Sequence, residues 1–384
     1  MSFFSKQKSY LGVDLGAGGI KLVELREEKN RPVLFTYGYT STPLDVHKLL
    51  SEQGTAPEQV RLEQGQDIRT QKKAIPPMDV STDRAERYAA NLKAVCVAAK
   101  TVSKIASVSL PASAVFHSIV NLPPVGKNEF MPVLKAEVKK LLPYSIDDMI
   151  LDHQIIESMS TDKNKKIMVS AVPKSIVDFY SRVFQRAGLI LDALEPEPSA
   201  LGRSLIGRDT AVTMVVDMGA ERTNFYIIDQ SVPMTSHTTE SGGNKINRIL
   251  QKALAVDEAA VPQIKADLYK NYLAGNSQAP ERDKFISLLM PVIDPLVKQV
   301  EYSFGLYFSQ GGNEQKRPEK IILTGGAAMV PFLAEHLAET FKVKCYLGDP
   351  WARVICQDKL KPLLNEIGPR MSVAIGLALK NILK

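Results

Sequence analysis

LGVDLGAGGIKLVEL, residues 11–25, is an apolar run around an aspartate, then a glycine bend and a second apolar run. This pattern makes a strand, a tight turn and a returning strand. Gly16, Gly18 and Gly19 carry no Cβ, so the backbone N–H groups of the turn, Ala17 among them, can approach an anion closely. Asp14, just before the bend, stands where it can hold a hydrated cation beside that anion. Lys21 adds a point charge on the returning strand. Taken alone, the same residues also describe an ordinary turn whose aspartate satisfies backbone N–H groups.

A second copy changes the reading. VDMGAERTNFYII, residues 216–228, repeats the aspartate, the Gly219–Ala220 bend and a closing apolar strand. Asp14 and Asp217 stand 203 positions apart (217 minus 14), about a domain's length. Two such hairpins predict two related lobes closing on one nucleotide. A third element, KIILTGGAAMVP at 320–331, is a buried strand that ends in Gly325, Gly326 and Ala327 before a helix. Its flat backbone suits the face of an adenine.

The rest of the chain fits around these three elements. With 384 residues, 45% hydrophobic and 23% charged, it can bury the cores of two lobes or more. Its 48 basic and 42 acidic residues leave a scattered net charge of +6, which argues against a nucleic-acid surface. Cys96, Cys345 and Cys356 form no CxxC and predict a reducing compartment. No apolar run reaches the ~18 residues of a membrane span, and MSFFSKQKSY lacks a signal peptide's apolar core. The expected location is therefore cytoplasmic. His47, His117, His153, His237 and His336 show no metal-ligand spacing.

The first lobe is expected over 1–104, with Arg31–Tyr39 as the third strand of a meander. Within it, positions 42–81 are dominated by Pro, Gln, Glu, Gly and Lys and predict a mobile insertion. Ser81 or Thr82 caps the next helix. The order strand, strand, helix, strand, strand, helix over 105–190 predicts a small α+β subdomain. An interlobe strand and helix occupy 191–210, and the second lobe 211–370. In that lobe the helix Arg282–Ser309 is expected to continue, kinked, through Pro291 and Pro295. The final helix, 371–384, returns to the first lobe.

The order of first phosphate hairpin, second phosphate hairpin and Gly-Gly loop resembles the actin-like ATPase superfamily. Within it, the PilM family of type IV pilus assembly is the nearest likeness. GVDLGAGGIKLVEL at 12–25, EVKKLLPYSIDDMILDHQIIE at 137–157, AVPKSIVDFYSRVFQRAGL at 171–189 and EPSALGRSL at 197–205 carry that match. The resemblance implies an α/β, actin-like fold: two RNase H-like lobes around a nucleotide cleft, with the small α+β subdomain inserted in the first. It implies ATP with Mg²⁺ as ligand, the metal held through water by Asp14 and Asp217. Lys21, Gly219, Ala220 and Thr223 would meet the phosphates; Gly242, Gly243 and Lys265 would clamp the purine against Gly325–Ala327. Glu197, at the head of the interlobe helix, can orient a water, or it can be a plain helix-start carboxylate.

Some positions depart from the superfamily pattern. Ala17 removes a hydroxyl that reaches the terminal phosphate, Glu221 and Arg222 replace small residues, and Ala266 replaces a Glu. A lost neutral hydrogen bond is worth roughly 0.5–1.5 kcal/mol, so nucleotide binding is expected with slow hydrolysis at most. The family resemblance further implies a location at the cytoplasmic face of the inner membrane. The expected partner there is the N-terminal cytoplasmic peptide of a PilN-like inner-membrane protein, with a pilus motor ATPase and self-association as further contacts. The competing expectations are an FtsA- or MreB-like filament former and a metabolic kinase. No sugar pocket is offered by the first lobe, and the chain's ending in the 369–384 helix, without an amphipathic membrane tail, favours the scaffold over the filament.

Overall fold

The computed structural model describes residues 8–49, 81–142, 144–156, 164–310, 313 and 316–383. A meander opens the chain: β1 (Ser9–Gly16), β2 (Gly19–Glu28) and β3 (Arg31–Tyr39). Helix α1 (Thr82–Ala99) follows, its start capped by the Ser81 hydroxyl accepting from Arg84 N at 3.3 Å. Then come β4 (Ile105–Leu110), β5 (Phe116–Leu122), α2 (Lys127–Leu141), β6 (Met149–Ile155) and β7 (Lys165–Pro173). Helix α3 (Lys174–Ala187) ends at Gly188, whose φ of 76° is a left-handed cap. β8 (Ile190–Pro196) and the short α4 (Glu197–Leu201) lead out of the first half.

The second half repeats the meander as β9 (Thr213–Met218), β10 (Thr223–Asp229) and β11 (Val232–Thr239). Helices α5 (Gly243–Leu254), α6 (Val261–Ala274) and α7 (Arg282–Phe308) come next. They are followed by β12 (Lys320–Thr324), α8 (Leu333–Phe341), β13 (Lys344–Leu347) and α9 (Lys361–Leu379). Helix α7 runs through Pro291 and Pro295 because Phe285, Ile286, Leu289, Val292, Ile293, Leu296 and Val300 pack its inner face into the core. That packing outweighs the local cost of the prolines.

Two five-stranded sheets of matching order, β3-β2-β1-β4-β8 and β11-β10-β9-β12-β13, form the two lobes, each a meander extended by parallel strands. A third sheet, β5-β7-β6, stands apart with α2. The 105–190 block is therefore divided. β4 pairs with β1 and β8 in the first sheet, and α3 buries Phe179, Tyr180 and Val183 in the first-lobe core with α1. Only β5, α2, β6 and β7 make a sheet of their own. A strand's composition does not say which sheet it joins. This smaller unit also touches the second lobe: Ile156 lies in that lobe's core, and His117 Nε2 is 2.8 Å from the Pro233 carbonyl.

Two further boundaries differ from expectation. Of the expected insertion, positions 50–80 lie outside the described residues. Its start is anchored, however, with Leu44 and Val46 buried and Asp45 held by Arg84, Arg87 and Tyr88, each at 2.8 Å. The last helix begins at Lys361 rather than Met371, because Pro369 is absorbed within it. The Pro369 carbonyl accepts from Gly325 N and Thr324 Oγ1, tying α9 to the end of β12. α9 also packs against β2 through Ala374, Ile375 and Ala378 and lies backbone to backbone on α4. A Cβ at Gly376 would fall 1.9 Å from the Ala200 carbonyl, so only glycine permits that approach.

Candidate functional site

The cleft is built from the two hairpins, and they correspond residue for residue at an offset of 203 without a gap. In the first, Asp14 lies opposite Lys21 and Gly16 opposite Gly19. In the second, Asp217 lies opposite Asn224, and Gly219 N donates to the Arg222 carbonyl at 2.9 Å. The tips meet: a Cβ on Gly18 would sit 3.1 Å from that of Ala220.

Asp14 is almost fully buried. Its Oδ1 accepts from Ser109 Oγ at 2.9 Å and its Oδ2 from Lys21 Nζ at 3.1 Å. The Lys21 ammonium passes beside Gly16, where a Cβ would meet it at 2.6 Å. Glu197 accepts from Asn224 Nδ2 at 3.0 Å and from Tyr226 Oη at 2.8 Å. Burial, and then the charges of Asp217 and Asp14, push the Glu197 carboxyl well above the ordinary carboxylate range. Burial and Asp14 push Asp217 in the same direction. Three acids thus share one nearby lysine, an arrangement short of positive charge. Among the described residues no three His, Cys, Asp or Glu side chains come close enough to hold one metal ion directly. Asp14 and Asp217 offer two carboxylates from opposite hairpins, a donor set that fits a cation that keeps its water shell, as Mg²⁺ does.

The residues expected at a purine are also brought together. Gly243 N donates to the Gly219 carbonyl and Asn244 N to the Ala220 carbonyl, both at 2.9 Å, so the second turn caps α5. A Cβ on Gly242 would strike the Ala220 carbonyl at 2.6 Å, and one on Gly243 would meet the Ala327 methyl at 2.8 Å. Gly325 has φ +90° and no room for a side chain against Met218 O and Asp217. Lys265 Nζ donates to Asn247 Oδ1 at 3.2 Å; burial, and then the charge of Arg370, bring it down to about 8. Arg370 lies beside Gly326 and over the Tyr39 ring, 5.2 Å from its centroid.

Most of the expected residues therefore converge: Asp14, Gly16, Ala17, Gly18, Gly19 and Lys21 from one lobe, and Asp217, Gly219, Ala220, Gly242, Gly243, Lys265, Gly325, Gly326 and Ala327 from the other. Thr223 does not join them. Its buried hydroxyl donates to the Ser241 carbonyl at 2.6 Å, and it lines a small void with Val292, Pro295 and Leu296 of α7. Alternation along β10 places Asn224, not Thr223, on the cleft face. Glu195, two residues before Glu197, is held instead by Arg203 at 3.0 Å and Lys380 at 2.7 Å. Sequence reasoning missed Ser109, Asn224, Tyr226 and Arg370. Only Asn224 had a signal, since the offset of 203 equates it with Lys21.

Comparison with known proteins places this geometry. A family profile described as "Type IV pilus assembly protein PilM" matches residues 48–382. Among solved structures, the "PilM-PilN type IV pilus biogenesis complex" superposes with a TM-score of 0.72 at 21% identity, over 97% of this chain and 98% of that one. Among curated proteins, the cell division protein FtsA of Neisseria meningitidis is 22% identical over 263 residues, 62% of this chain. FtsA of Enterococcus faecalis is 24% identical over 220 residues, 51% of this chain. The chain spans 61% of the first FtsA and 49% of the second.

Proposed function

Because the chain belongs to the PilM family of type IV pilus assembly proteins and has the actin-like fold, we propose that it is an ATP-binding scaffold that holds the cytoplasmic tail of a membrane-anchored, PilN-like partner at the inner face of the membrane. The observation that carries the nucleotide half is the cluster of Asp14, Asp217 and Glu197 with Lys21 between paired glycine turns, in which burial and then acid–acid repulsion raise Asp217 and Glu197. Asp14 and Asp217 would hold a hydrated Mg²⁺, Lys21 and the turn N–H groups the phosphates, and Lys265 and Arg370 the base. The metal supplies charge neutralisation of the polyphosphate. Glu197 keeps its carboxylate aimed by Asn224 and Tyr226. Its raised pKa makes it a weakly ionised group until positive charge enters the cleft, which agrees with slow turnover.

The scaffold half rests on the β5–β7–β6 unit. Among the described residues β6 pairs only with β7, so its outer edge is open, and Ile150 on it is 42% exposed. An extended tail can add to such an edge, with main-chain pairing for affinity and side-chain pockets for choice. The same unit contacts the second lobe through His117 and Ile156, so lobe closure bears on the edge's position. We expect a synthetic partner tail to bind the full chain with roughly micromolar affinity, and Ile150→Lys to weaken it. A wild-type protein that gives no heat with millimolar MgATP overturns the nucleotide half. A tail that does not bind, together with ATP-dependent sedimentation of the chain, replaces the scaffold by a filament like the FtsA relatives' class.

A further inference from the structure

Among the described residues five buried side-chain polar atoms lack a hydrogen-bond partner, and two of them, His47 Nδ1 and Tyr180 Oη, lie within the electrostatic reach of Asp14. Buried orphan donors are costly, and they persist where a ligand or water pairs them. The two face different surroundings. Tyr180 lies toward Asp14 and Glu197, among acids. His47 lies within electrostatic reach of Arg222 as well as of Asp14.

His47 reaches that place because the chain after β3 folds back over the first turn. Leu44 N donates to the Ala17 carbonyl at 3.2 Å, and Leu44 and Val46 are buried on either side of the clasped Asp45. Arg222 comes from the opposite turn. Its Nη2 is 3.1 Å from Glu240, a carboxylate whose side chain is 84% exposed and which an incoming anion can displace at little cost. The first turn, Ala17, Gly18 and Gly19, offers no side-chain donor. On that side, a donor to the outermost part of a ligand has to come from outside the turn.

We propose that His47 and Arg222, one from each lobe, form the terminal-phosphate subsite, His47 Nδ1–H donating to the outermost phosphate of a nucleoside triphosphate and Arg222 neutralising it. The subsite rests on the nucleotide reading above and adds a residue from a segment that lies outside both hairpins. Burial, with the Arg222 charge adding to it, holds His47 down to about 4. The ring is therefore neutral at physiological pH, with one N–H to donate. A subsite that engages only the outermost phosphate distinguishes triphosphate from diphosphate and ties the two lobes together only in the triphosphate state.

Titration calorimetry with MgATP and MgADP on the full chain tests the assignment. Loss of a hydrogen bond to a charged phosphate predicts that His47→Ala weakens MgATP roughly ten-fold or more and leaves MgADP within about two-fold. His47→Asn, whose amide N–H can stand in for Nδ1–H, should restore most of the loss, and Arg222→Gln should follow the alanine variant. Unliganded melting temperatures guard against a folding effect. Equal losses for both nucleotides overturn the subsite, as does no loss for either; both outcomes leave nucleotide binding itself intact. Failure of the unmodified chain to bind either nucleotide overturns the nucleotide reading and this assignment with it.

Discussion

The two hairpins share one backbone frame and differ in charge. Asp14 has a lysine opposite it on the returning strand and a serine from β4, whereas Asp217, at the matching position, faces Asn224 and no cation. The first turn is pure glycine and alanine, with Gly19 at φ +109° wedged under the Thr40 carbonyl. The second carries Glu221 and Arg222 in the corresponding places and spends two of its carbonyls capping α5. Repetition therefore fixes where the acids stand, and the partners opposite them decide which acid is content. One hairpin is electrostatically closed; the other is left in need of positive charge, which under the proposed function a cation would supply.

Making the first turn resemble the second is the harshest way to break this comparison. Gly19→Arg copies Arg222, but a Cβ there would lie 1.9 Å from the Thr40 carbonyl, in a left-handed backbone. We expect a loss of about 3 kcal/mol or more in denaturant unfolding, against less than ~1 kcal/mol for Arg222→Gly, whose loss is a surface-facing ion pair. Equal effects would mean that the two turns are not the distinct structures described.

The acids should answer with opposite signs. Asp14→Asn strips Lys21 of its charged partner and should cost about 1–3 kcal/mol, while Asp217→Asn relieves repulsion and should be neutral or stabilising. The pH dependence follows from the same asymmetry. Glu197 and Asp217 have pKa values raised on folding, so the folded state binds more protons than the unfolded one. Stability of the ligand-free protein should then fall as pH rises from ~4 through neutrality. Asp217→Asn and Glu197→Gln should flatten that slope, and saturating MgATP should do the same in the wild type. A melting temperature that climbs over this range would contradict the assignment.

The mildest test concerns Thr223. Thr223→Val should cost about 1 kcal/mol through the lost bond to the Ser241 carbonyl and leave nucleotide affinity unchanged. A fall in MgATP affinity would return Thr223 to the cleft.

Much of this was legible in the sequence. The spacing of Asp14 and Asp217 and the glycines around them implied two lobes, and the third glycine loop falls beside the second hairpin as its pattern suggested. What escaped was whatever depends on strand parity or on which sheet a strand joins. Thr223 was read by residue type, although the register of β9 with β10 turns it away and Asn224 inward. β4 and α3 were grouped with their neighbours in sequence, because no local pattern shows that β4 lies between β1 and β8. The final helix, expected over 371–384, starts at Lys361, and the Pro369 carbonyl within it ties α9 to the glycine loop. His47 sits at the edge of a polar stretch, and nothing in that composition signals that the chain folds back onto the turn.

The contact between α4 and α9 has a mechanical consequence. The chain passes between the lobes along α4, and α9 spans them again; the two lie together at Ala200 and Gly376, with the Arg203 guanidinium reaching the Gly376 carbonyl. Two passages pinned at one point behave as an axle. Relative motion of the lobes becomes rotation about it, smallest at the axle and growing with distance along each arm. The hairpin tips stand at one radius, and the β5–β7–β6 unit, fastened across to Pro233, at another. A change in grip at the tips that turned the lobes about this point would load the contacts of His117 with Pro233 and of Ile156 with the second-lobe core. Filling the space at Gly376 would jam that bearing while leaving both arms whole.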